Sequence, residues 1–293
     1  MPVHHLPGKL ILQHPEGPSA EVLLYGATVV SWKSPSHGST ELKERLFLSS
    51  KAILDGSKAV RGGIPVVFPC FGAPQHPDHM KLSQHGFART STWKFHKTVL
   101  DNGVGVSIQL DLHPTPEIAK VYNKPFQLSY VVTLAGHQLS TDLHVTNPAG
   151  SDASLEFQAL LHTYLAAPAS EVGITPLENL KFYDKTEASE EARQTAKVET
   201  RSVVDVGNYT DSVYEDAPQN YMVSWGSGSI NVRAKGFKDV VVWNPGEEGK
   251  KIGDMEDGGW NKYVCVEPGH VRGYLELAPG HSWIGQQVIT VKA

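Results

Sequence analysis

Two features are scarce in this sequence of 293 residues: cysteine, and long runs of apolar side chains. Cys70 and Cys265 are the two cysteines, both in apolar surroundings, and no window approaches the roughly 18 apolar residues of a membrane-spanning helix. Residues 1–7 lack the charged and apolar regions of a secretory signal. We therefore expect two buried, reduced and unreactive thiols in a cytoplasmic protein with no membrane partner.

Basic residues are not in excess either, because 26 lysines and arginines stand against 31 aspartates and glutamates, a formal net charge of −5. This balance argues against nucleic acid or an anionic membrane as a partner. An anionic substrate would have to be held by a few arginine or lysine side chains at its own site. Since no linker rich in proline or serine divides the chain, residues 1–293 are expected to form a single domain.

Helical patterns are few, and alternation of apolar and polar side chains dominates. Alternation over 104–112 and 139–145 is typical of strands with one buried face. Turn signals predict hairpins at 101–103, 135–137 and 226–228. Short helices are expected at 50–54 and 116–122, and a short helix or a polar excursion at 186–199. These features predict an all-β fold, one large antiparallel sandwich.

Polar residues concentrate in two irregular segments, R-G-G-I-P-V-V-F-P-C-F-G at 61–72 and S-Q-H-G-F-A-R at 83–89. Paired glycines permit unusual backbone, and proline inside an apolar run argues against a central strand, so we expect a buried, ordered connection. Polar side chains on such backbone, beside an apolar floor, suggest a pocket for a polar ligand. Its candidate residues are Arg61, Gln84, His85 and Arg89. Taken alone, the two arginines fit a structural ion-pair role equally well.

Glu267 is the most informative single residue, because it follows the apolar run 263–266 and precedes Pro268-Gly269, which we expect to turn. A carboxyl group at the end of a buried strand tends to have a perturbed pKa, as a general base requires. A turn cap or a partner of an arginine is the structural alternative.

Three other residues stand out in apolar contexts, namely His162, Asp211 and Trp243. Their structural alternatives are a satisfied core histidine, a turn residue and a core aromatic. His76 and His79 lie three residues apart, but no cluster of histidine and carboxylate shows the spacing of a metal site. We therefore predict neither a metal nor an organic cofactor.

Taken together, these segments resemble the aldose 1-epimerase (galactose mutarotase) superfamily, and within it the hexose-6-phosphate mutarotase branch. The resemblance runs from Tyr25-Gly26-Ala27 to Leu277-Ala278-Pro279-Gly280, nearly the whole chain. The matching segments are Asp55-Gly56-Ser57, Val60–Pro65, Phe68-Pro69, Gln84–Arg89, Leu161–Tyr164, Val242–Pro245 and Cys265–His270. The resemblance implies a large antiparallel β-supersandwich and an isomerase of sugar anomers.

The resemblance also implies roles for individual residues. His162 matches the general acid and Glu267 the general base, while Arg61 and Arg89 match cleft positions that would contact a 6-phosphate. Further substrate contacts are assigned to Gln84, which stands where sugar epimerases more often have asparagine, and to His85, Asp211 and Trp243. Segment 168–200 carries no matching motif and receives no role.

The chemistry implied is opening and reclosing of a hemiacetal ring, with Glu267 and His162 acting from opposite sides of a small-molecule phosphosugar. A monomer without cofactor suffices for this reaction. The alternatives are an epimerase of unphosphorylated aldoses, a non-catalytic sugar-binding protein on the same fold, and a glycoside hydrolase that uses Glu267 and Asp211. Which hexose 6-phosphate is preferred stays open.

Overall fold

The computed structural model describes residues 2–292, which form 21 β-strands and two short α-helices. No helix in that range has the length and apolar character needed to cross a lipid bilayer. In chain order the strands are β1 (Val3–Leu6), β2 (Lys9–Gln13), β3 (Ser19–Leu23), β4 (Val29–Pro35), β5 (Leu42–Glu44), β6 (Val66–Val67), β7 (Lys94–Asn102), β8 (Gly105–Leu112), β9 (Gln127–Leu134), β10 (Gln138–Thr146), β11 (Leu155–Leu161), β12 (Tyr164–Ala166), β13 (Gly173–Thr175), β14 (Lys181–Asp184), β15 (Lys197–Val198), β16 (Thr210–Tyr214), β17 (Asn220–Trp225), β18 (Gly228–Lys235), β19 (Asp239–Asn244), β20 (Tyr263–Leu277) and β21 (Ser282–Lys292). The α-helices are α1 (Pro116–Val121) and α2 (Glu190–Gln194), and single 3₁₀ turns lie at Pro77–His79, Ala88–Thr90, Ala169–Glu171, Gly246–Lys251 and Gly259–Lys262.

The strands form three sheets, and neighbouring strands within each sheet pair antiparallel. The first sheet has the order β1-β2-β3-β4-β5, and the second has the order β13-β17-β18-β21-β10-β9-β8-β7. The third has the order β15-β14-β16-β19-β20-β11-β6, with β12 added beside β20. One cluster of buried side chains runs through all three sheets, including Trp32 on β4, Tyr130 on β9 and Phe157 on β11. The predicted all-β antiparallel fold is confirmed, and a single domain over 1–293 stays a prediction.

The predicted hairpins are confirmed, with one small shift. Asn102 pairs with Gly105, so the turn between β7 and β8 lies at 103–104, slightly after the predicted 101–103. Helix α1 is confirmed as well, since the Thr115 hydroxyl accepts from the Ile118 N–H and Pro116 occupies the first turn.

The helix expected at 50–54 is wrong, because this segment forms a turn. The Ala52 N–H donates to the Ser49 carbonyl, and the Lys51 N–H donates to the Ser49 hydroxyl. A serine side chain that takes a backbone N–H offers the chain an alternative to the helical hydrogen-bond pattern. Residues 186–199 were expected to form either a short helix or a polar excursion. Both occur, since this polar segment contains the short helix α2 and the two-residue strand β15.

Segment 61–72 is mostly buried and irregular, as predicted, and its one strand is the two-residue β6 at the edge of the third sheet. Gly63 has a φ of 67°, and a Cβ there would lie 2.2 Å from the Val29 carbonyl oxygen. Its N–H donates to the Phe47 carbonyl at 2.7 Å. Only glycine permits so close an approach, and it fixes the start of the segment between the first and third sheets.

Candidate active site

A cavity of about 410 Å³ opens on the third sheet, a size within the usual range for small-molecule sites. The structure brings to its lining all eight residues selected from the sequence, Arg61, Gln84, His85, Arg89, His162, Asp211, Trp243 and Glu267. Residues that the sequence did not single out also line it, among them Phe71, Lys185 and Tyr209.

Strand pairing places part of this lining in one row across the sheet. Asp211 on β16 pairs with Trp243 on β19, which pairs with Cys265 on β20. Cys265 in turn pairs with Tyr164 on β12. Cross-strand partners present their side chains to the same face of a sheet, so these four side chains lie side by side beneath the cavity.

A second row contains the two residues predicted to carry the chemistry. Val241 on β19 pairs with Glu267, two residues along β20 from Cys265 and therefore on the same face. On the other side of β20 the flanking pairs keep one register, Leu160 with Gly269 and Tyr164 with Cys265. That register sets His162, in the connection between β11 and β12, opposite Glu267.

The prediction that Glu267 ends a strand and that Pro268-Gly269 turns is wrong, because β20 continues through both residues to Leu277. The Val266 N–H donates to the Thr163 carbonyl, so an N–H at position 268 would point at the carbonyl of Leu161. Pro268 has no N–H.

The Leu161 carbonyl is satisfied from its own chain instead. It accepts from the Thr163 N–H at 2.9 Å and from the Thr163 hydroxyl at 3.2 Å. This bond spans two residues and closes a tight turn around His162, whose N–H donates to the Pro65 carbonyl at 3.0 Å. A missing donor on β20 is therefore accommodated by a kink in the neighbouring chain, at the position of the histidine.

His162 and Glu267 contact each other directly, with Nδ1 and Oε1 3.2 Å apart. They are 8% and 1% exposed. Within residues 2–292, His162 Nδ1 and both carboxyl oxygens of Glu267 are buried and have no hydrogen-bond partner. Buried polar atoms are usually hydrogen-bonded. The two groups thus lie together at the floor of the cavity, and the expectation that they act from opposite sides of the sugar stays a prediction.

Burial controls the protonation of this pair. Burial raises the pKa of Glu267 well above 4.5, and the charge of Asp211 adds to this effect while Arg89 opposes it. Burial also lowers the pKa of His162 well below 6.5, and the positive charges around it lower it further. Both shifts favour the uncharged forms, a neutral imidazole beside a protonated carboxyl group.

Two arginines lie at the β12 end of the cavity. Arg61 donates from Nε to Asp254 Oδ1 at 3.1 Å and from Nη1 to the Tyr164 hydroxyl at 3.2 Å. Arg89 donates from Nη2 to the Gln84 carbonyl at 2.9 Å, while its buried Nε has no acceptor in the described part of the chain. Arg61 is therefore held in place, and Arg89 retains a donor that a bound anion could use.

The loop that carries Gln84 and His85 is shaped by left-handed backbone. His85 and Gly86 have φ values of 67° and 71°, and a Cβ on Gly86 would lie 2.1 Å from the Phe68 carbonyl oxygen. The His85 Nδ1 accepts from the Gly72 N–H at 3.2 Å, which joins this loop to segment 61–72. A non-glycine residue with positive φ is uncommon, and here it keeps the His85 ring 5.9 Å from that of His162.

The opposite end of the cavity contains Asp211 and Lys185. The Lys185 N–H, just after β14, donates to the Asp211 carbonyl at 2.7 Å. Burial raises the pKa of Asp211 to about 6, although the charge of Lys185 opposes this shift. Lys185 belongs to segment 168–200, which received no role in the sequence analysis. Four inter-strand steps of about 4.8 Å separate its strand from β12, so the lysine and the arginines lie at different ends.

Comparison with known proteins shows what this chain is similar to. A relative from Cenchrus ciliaris named "Putative glucose-6-phosphate 1-epimerase" is 32% identical over 289 residues, which is 95% of this chain and 83% of the relative. A protein of the same name from Escherichia coli is 30% identical over 263 residues, 88% of this chain and 81% of the relative. A crystal structure described as a "putative mutarotase" from Salmonella typhimurium superimposes with a TM-score of 0.84 at 25% identity, covering 99% of this chain and 92% of that one.

This neighbouring structure has the same β-rich fold, as the resemblance implied. Residues 8–290 match the family model described as aldose 1-epimerase. The chain therefore belongs to the aldose 1-epimerase family.

Proposed function

We propose that this protein interconverts the α and β anomers of a hexose 6-phosphate, as a glucose-6-phosphate 1-epimerase. The observation that carries the proposal is the contact between two buried and otherwise unpartnered groups, His162 Nδ1 and Glu267 Oε1, at the floor of a cavity. A sugar-binding protein has no use for such an acid–base pair, because leaving buried polar groups unsatisfied costs about 1–3 kcal/mol each.

The order of residues across the third sheet supports the choice of a hexose 6-phosphate. Starting at β12 the order is Arg61 and Arg89, His162, Glu267, Asp211 and finally Lys185. A 6-phosphohexose presents its groups in the same sequence: the phosphate on C6, the ring oxygen O5, the anomeric hydroxyl O1 and the hydroxyl on C2. We therefore assign the phosphate to the arginines, O5 to His162, O1 to Glu267 and the C2 hydroxyl to Asp211.

The reaction then follows from two proton transfers. Glu267 removes the proton of the anomeric hydroxyl, and His162 gives a proton to O5 as the C1–O5 bond breaks. Because Nδ1 of His162 is buried against Glu267, Nε2 is the nitrogen available to the sugar. Rotation about C1–C2 presents the other face of the aldehyde, and the two groups return their protons when the ring closes. No redox step occurs, so the reaction needs no organic cofactor.

The proton count of the pair is the same throughout. Ring opening starts from a carboxylate beside an imidazolium and ends with a carboxyl group beside a neutral imidazole. The second form is the one that burial favours in the free pocket. One proton shared across the 3.2 Å contact therefore converts the resting pair into the form that opens the ring.

The phosphate assignment rests on the arginines and on the relatives. Guanidinium groups suit bidentate contacts with phosphate, and Arg89 lines the cavity with a buried Nε that has no acceptor within residues 2–292. The relatives at 32% and 30% identity are both named for glucose 6-phosphate. Trp243, Gln84 and His85 complete the proposed substrate contacts.

The direct test is anomer exchange measured by NMR saturation transfer on α-glucose 6-phosphate and α-galactose side by side, after subtraction of the spontaneous rate. Strong acceleration of the phosphosugar alone is the expected result. Acceleration of galactose alone would retain the mechanism and remove the phosphate assignment. Acceleration of neither sugar, or release of reducing ends from a glycoside, would overturn the proposal.

We also propose a cytoplasmic location and a monomeric state. Cys70 and Cys265 are both free and buried, which fits a reducing compartment. Every group in the proposed mechanism comes from one chain, so catalysis requires no partner subunit. Light scattering should give a mass near 32.0 kDa, and a stable dimer would contradict the second part.

A further inference from the structure

A third side chain lies beside the acid–base pair at the floor of the cavity, and the mechanism does not use it. This side chain is Cys265, which is 0% exposed and forms no disulfide. One ligand atom each from His162, Cys265 and Glu267 lies within 4.8 Å of the others. The strand register explains the cluster, since Cys265 and Glu267 are two residues apart on β20 and His162 faces Glu267 from the neighbouring chain.

The polar atoms of this cluster lack ordinary partners. Nδ1 of His162 and both carboxyl oxygens of Glu267 are buried, and no hydrogen bond to any of them occurs between residues 2 and 292. Buried polar atoms without a partner are rare in proteins and call for a ligand or a catalytic role. Catalysis explains one oxygen and one nitrogen, but it gives no reason for a thiol at the same place.

The donor set has a defined chemistry. A thiolate, an imidazole nitrogen and a carboxylate oxygen are the three ligand types that zinc takes, and sites with three protein ligands leave a fourth position open. Zinc bonds of about 2.0–2.3 Å place tetrahedral ligands about 3.5 Å apart. The widest pair in the cluster, at 4.8 Å, must therefore close by about 1 Å, a distance that side-chain rotation supplies.

We propose that His162, Cys265 and Glu267 form a binding site for a thiophilic divalent cation such as Zn²⁺, and that the ion inhibits the enzyme. Binding at Nδ1 of His162 and at a carboxyl oxygen of Glu267 occupies the lone pairs that share the proton of the pair, so the carboxylate–imidazolium form that opens the ring cannot arise. The ion replaces the thiol proton of Cys265 and the carboxyl proton of Glu267, and both protons pass to solvent. The net charge of the floor is unchanged, so the nearby arginines do not oppose the exchange.

The cavity gives the ion its route and its competitor. His162 and Glu267 line the cavity, whereas Cys265 lies between Trp243 and Tyr164 in the first row and is not part of the lining, so the ion enters from the cavity side. A bound sugar covers the same floor. Metal and substrate therefore exclude each other, and inhibition should be competitive.

The test uses the second buried thiol as a matched control. Cys70 lies in the same core but outside the cluster, so Cys70→Ala removes a buried thiol without removing a ligand. Cys265→Ser and Cys265→Ala each remove the proposed ligand, and thermal unfolding checks that both variants fold. Each protein is titrated with Zn²⁺ in the anomer-exchange assay and with Co²⁺ in an absorbance assay for thiolate-to-cobalt charge transfer.

The expected result is Zn²⁺ inhibition of the wild type and of Cys70→Ala, and inhibition weaker by at least about tenfold in both Cys265 variants, since loss of even an outer-sphere partner costs about 10–100-fold in metal affinity. The Co²⁺ band should appear in the first two proteins and be absent from the other two. Equal inhibition of all four proteins, or absence of the band from the wild type, would overturn the site.

The inhibition rests on the proposed function, but the Co²⁺ band does not. A band without catalytic activity would therefore retain the metal site and remove the proposed function. Activity without a Co²⁺ band, or activity that zinc does not affect, would retain the proposed function and remove the metal site. If the Cys265 variants fail to fold, zinc must still raise the unfolding temperature of the wild type and of Cys70→Ala, and no rise would refute binding.

Discussion

Replacing Glu267 with glutamine should stop catalysis and, at neutral and alkaline pH, stabilise the fold. Glutamine keeps the shape of the side chain but cannot accept the anomeric proton. Loss of a general base lowers the rate by about 10²–10⁴-fold. The stability effect has a separate cause, because the native carboxyl is 1% exposed and no hydrogen-bond donor within residues 2–292 meets it.

The pH dependence of the stability effect follows from the raised pKa. In the unfolded chain this carboxyl loses its proton near pH 4.5, whereas burial keeps it protonated in the folded protein to a higher pH. The folded state binds the proton more tightly, so its contribution to stability is fully present below pH 4.5 and is lost as pH rises through the folded pKa. The loss is about 1.4 kcal/mol per pH unit in between. Glu267→Gln does not undergo this loss. The difference in unfolding free energy between the variant and the wild type should therefore grow by about 1.4 kcal/mol per pH unit and become constant above the folded pKa.

The assay is urea unfolding of both proteins from pH 7 to 9, where His162 is uncharged in the folded protein and largely uncharged in the unfolded chain, in buffers that contain a metal chelator. Glu199→Gln is the matched control, because Glu199 is also buried but is bonded. Burial raises the pKa of Glu199, yet hydrogen bonds from Arg201 and Tyr214 outweigh this and lower it to about 2. Its stabilising contribution is present above pH 4.5 and is lost as pH falls towards 2, so Glu199→Gln should destabilise at neutral pH. Destabilisation by Glu267→Gln at pH 8, or more than about a tenth of wild-type activity, would refute the reasoning.

Three further predictions concern the ends of the cavity and its protonation. Arg89→Ala should raise KM for glucose 6-phosphate by about 10–100-fold, equivalent to a charge-assisted hydrogen bond of about 1.5–3 kcal/mol, and change KM for a free hexose little; equal effects in steady-state assays would contradict a phosphate contact. Lys185→Met should raise KM for both sugars by a similar factor, since Lys185 lies beside Asp211 and away from the arginines; selective loss of the phosphosugar would place the phosphate at that end. The profile of kcat/KM against pH, corrected for ionisation of the phosphate near pH 6, should be bell-shaped. Its acid limb should lie below pH 6.5, where His162 takes a second proton. A flat profile from pH 4 to 9 would contradict a pair that shares one proton.

Local patterns in the sequence predicted the strands and the position of the pocket. Alternation over 104–112 needs no distant contact to be interpreted, and the hairpin turns followed from their own residues. Segments 61–72 and 83–89 indicated irregular, polar-lined backbone because glycine and proline restrict the local chain. The identity of the acid and the base came from the resemblance, since histidine and glutamate in apolar runs have structural explanations of their own.

The rest depends on pairings between distant parts of the chain. Lys185 reaches the cavity because β14 pairs with β16, and no local motif signals that contact. The cluster of His162, Cys265 and Glu267 joins positions about a hundred residues apart through the register of β20. The failed expectation at Pro268-Gly269 has the same origin, because the cost of a proline in a strand depends on the carbonyl that its N–H would have met.

Pro268 itself provides a test of how the acid–base contact arises. Pro268→Ala creates an N–H that points at the Leu161 carbonyl and competes with the Thr163 donors that form the turn at His162. The new hydrogen bond contributes about 0.5–1.5 kcal/mol, and the greater freedom of the unfolded chain costs about 0.4–1 kcal/mol, so stability should change by less than about 1 kcal/mol. Activity should fall far more, since displacing a catalytic group by 1 Å costs about 10²-fold. With Pro279→Ala as a control for loss of a remote proline, kcat and urea unfolding separate the two effects. Wild-type kcat in Pro268→Ala would show that the turn at His162 does not depend on the missing donor.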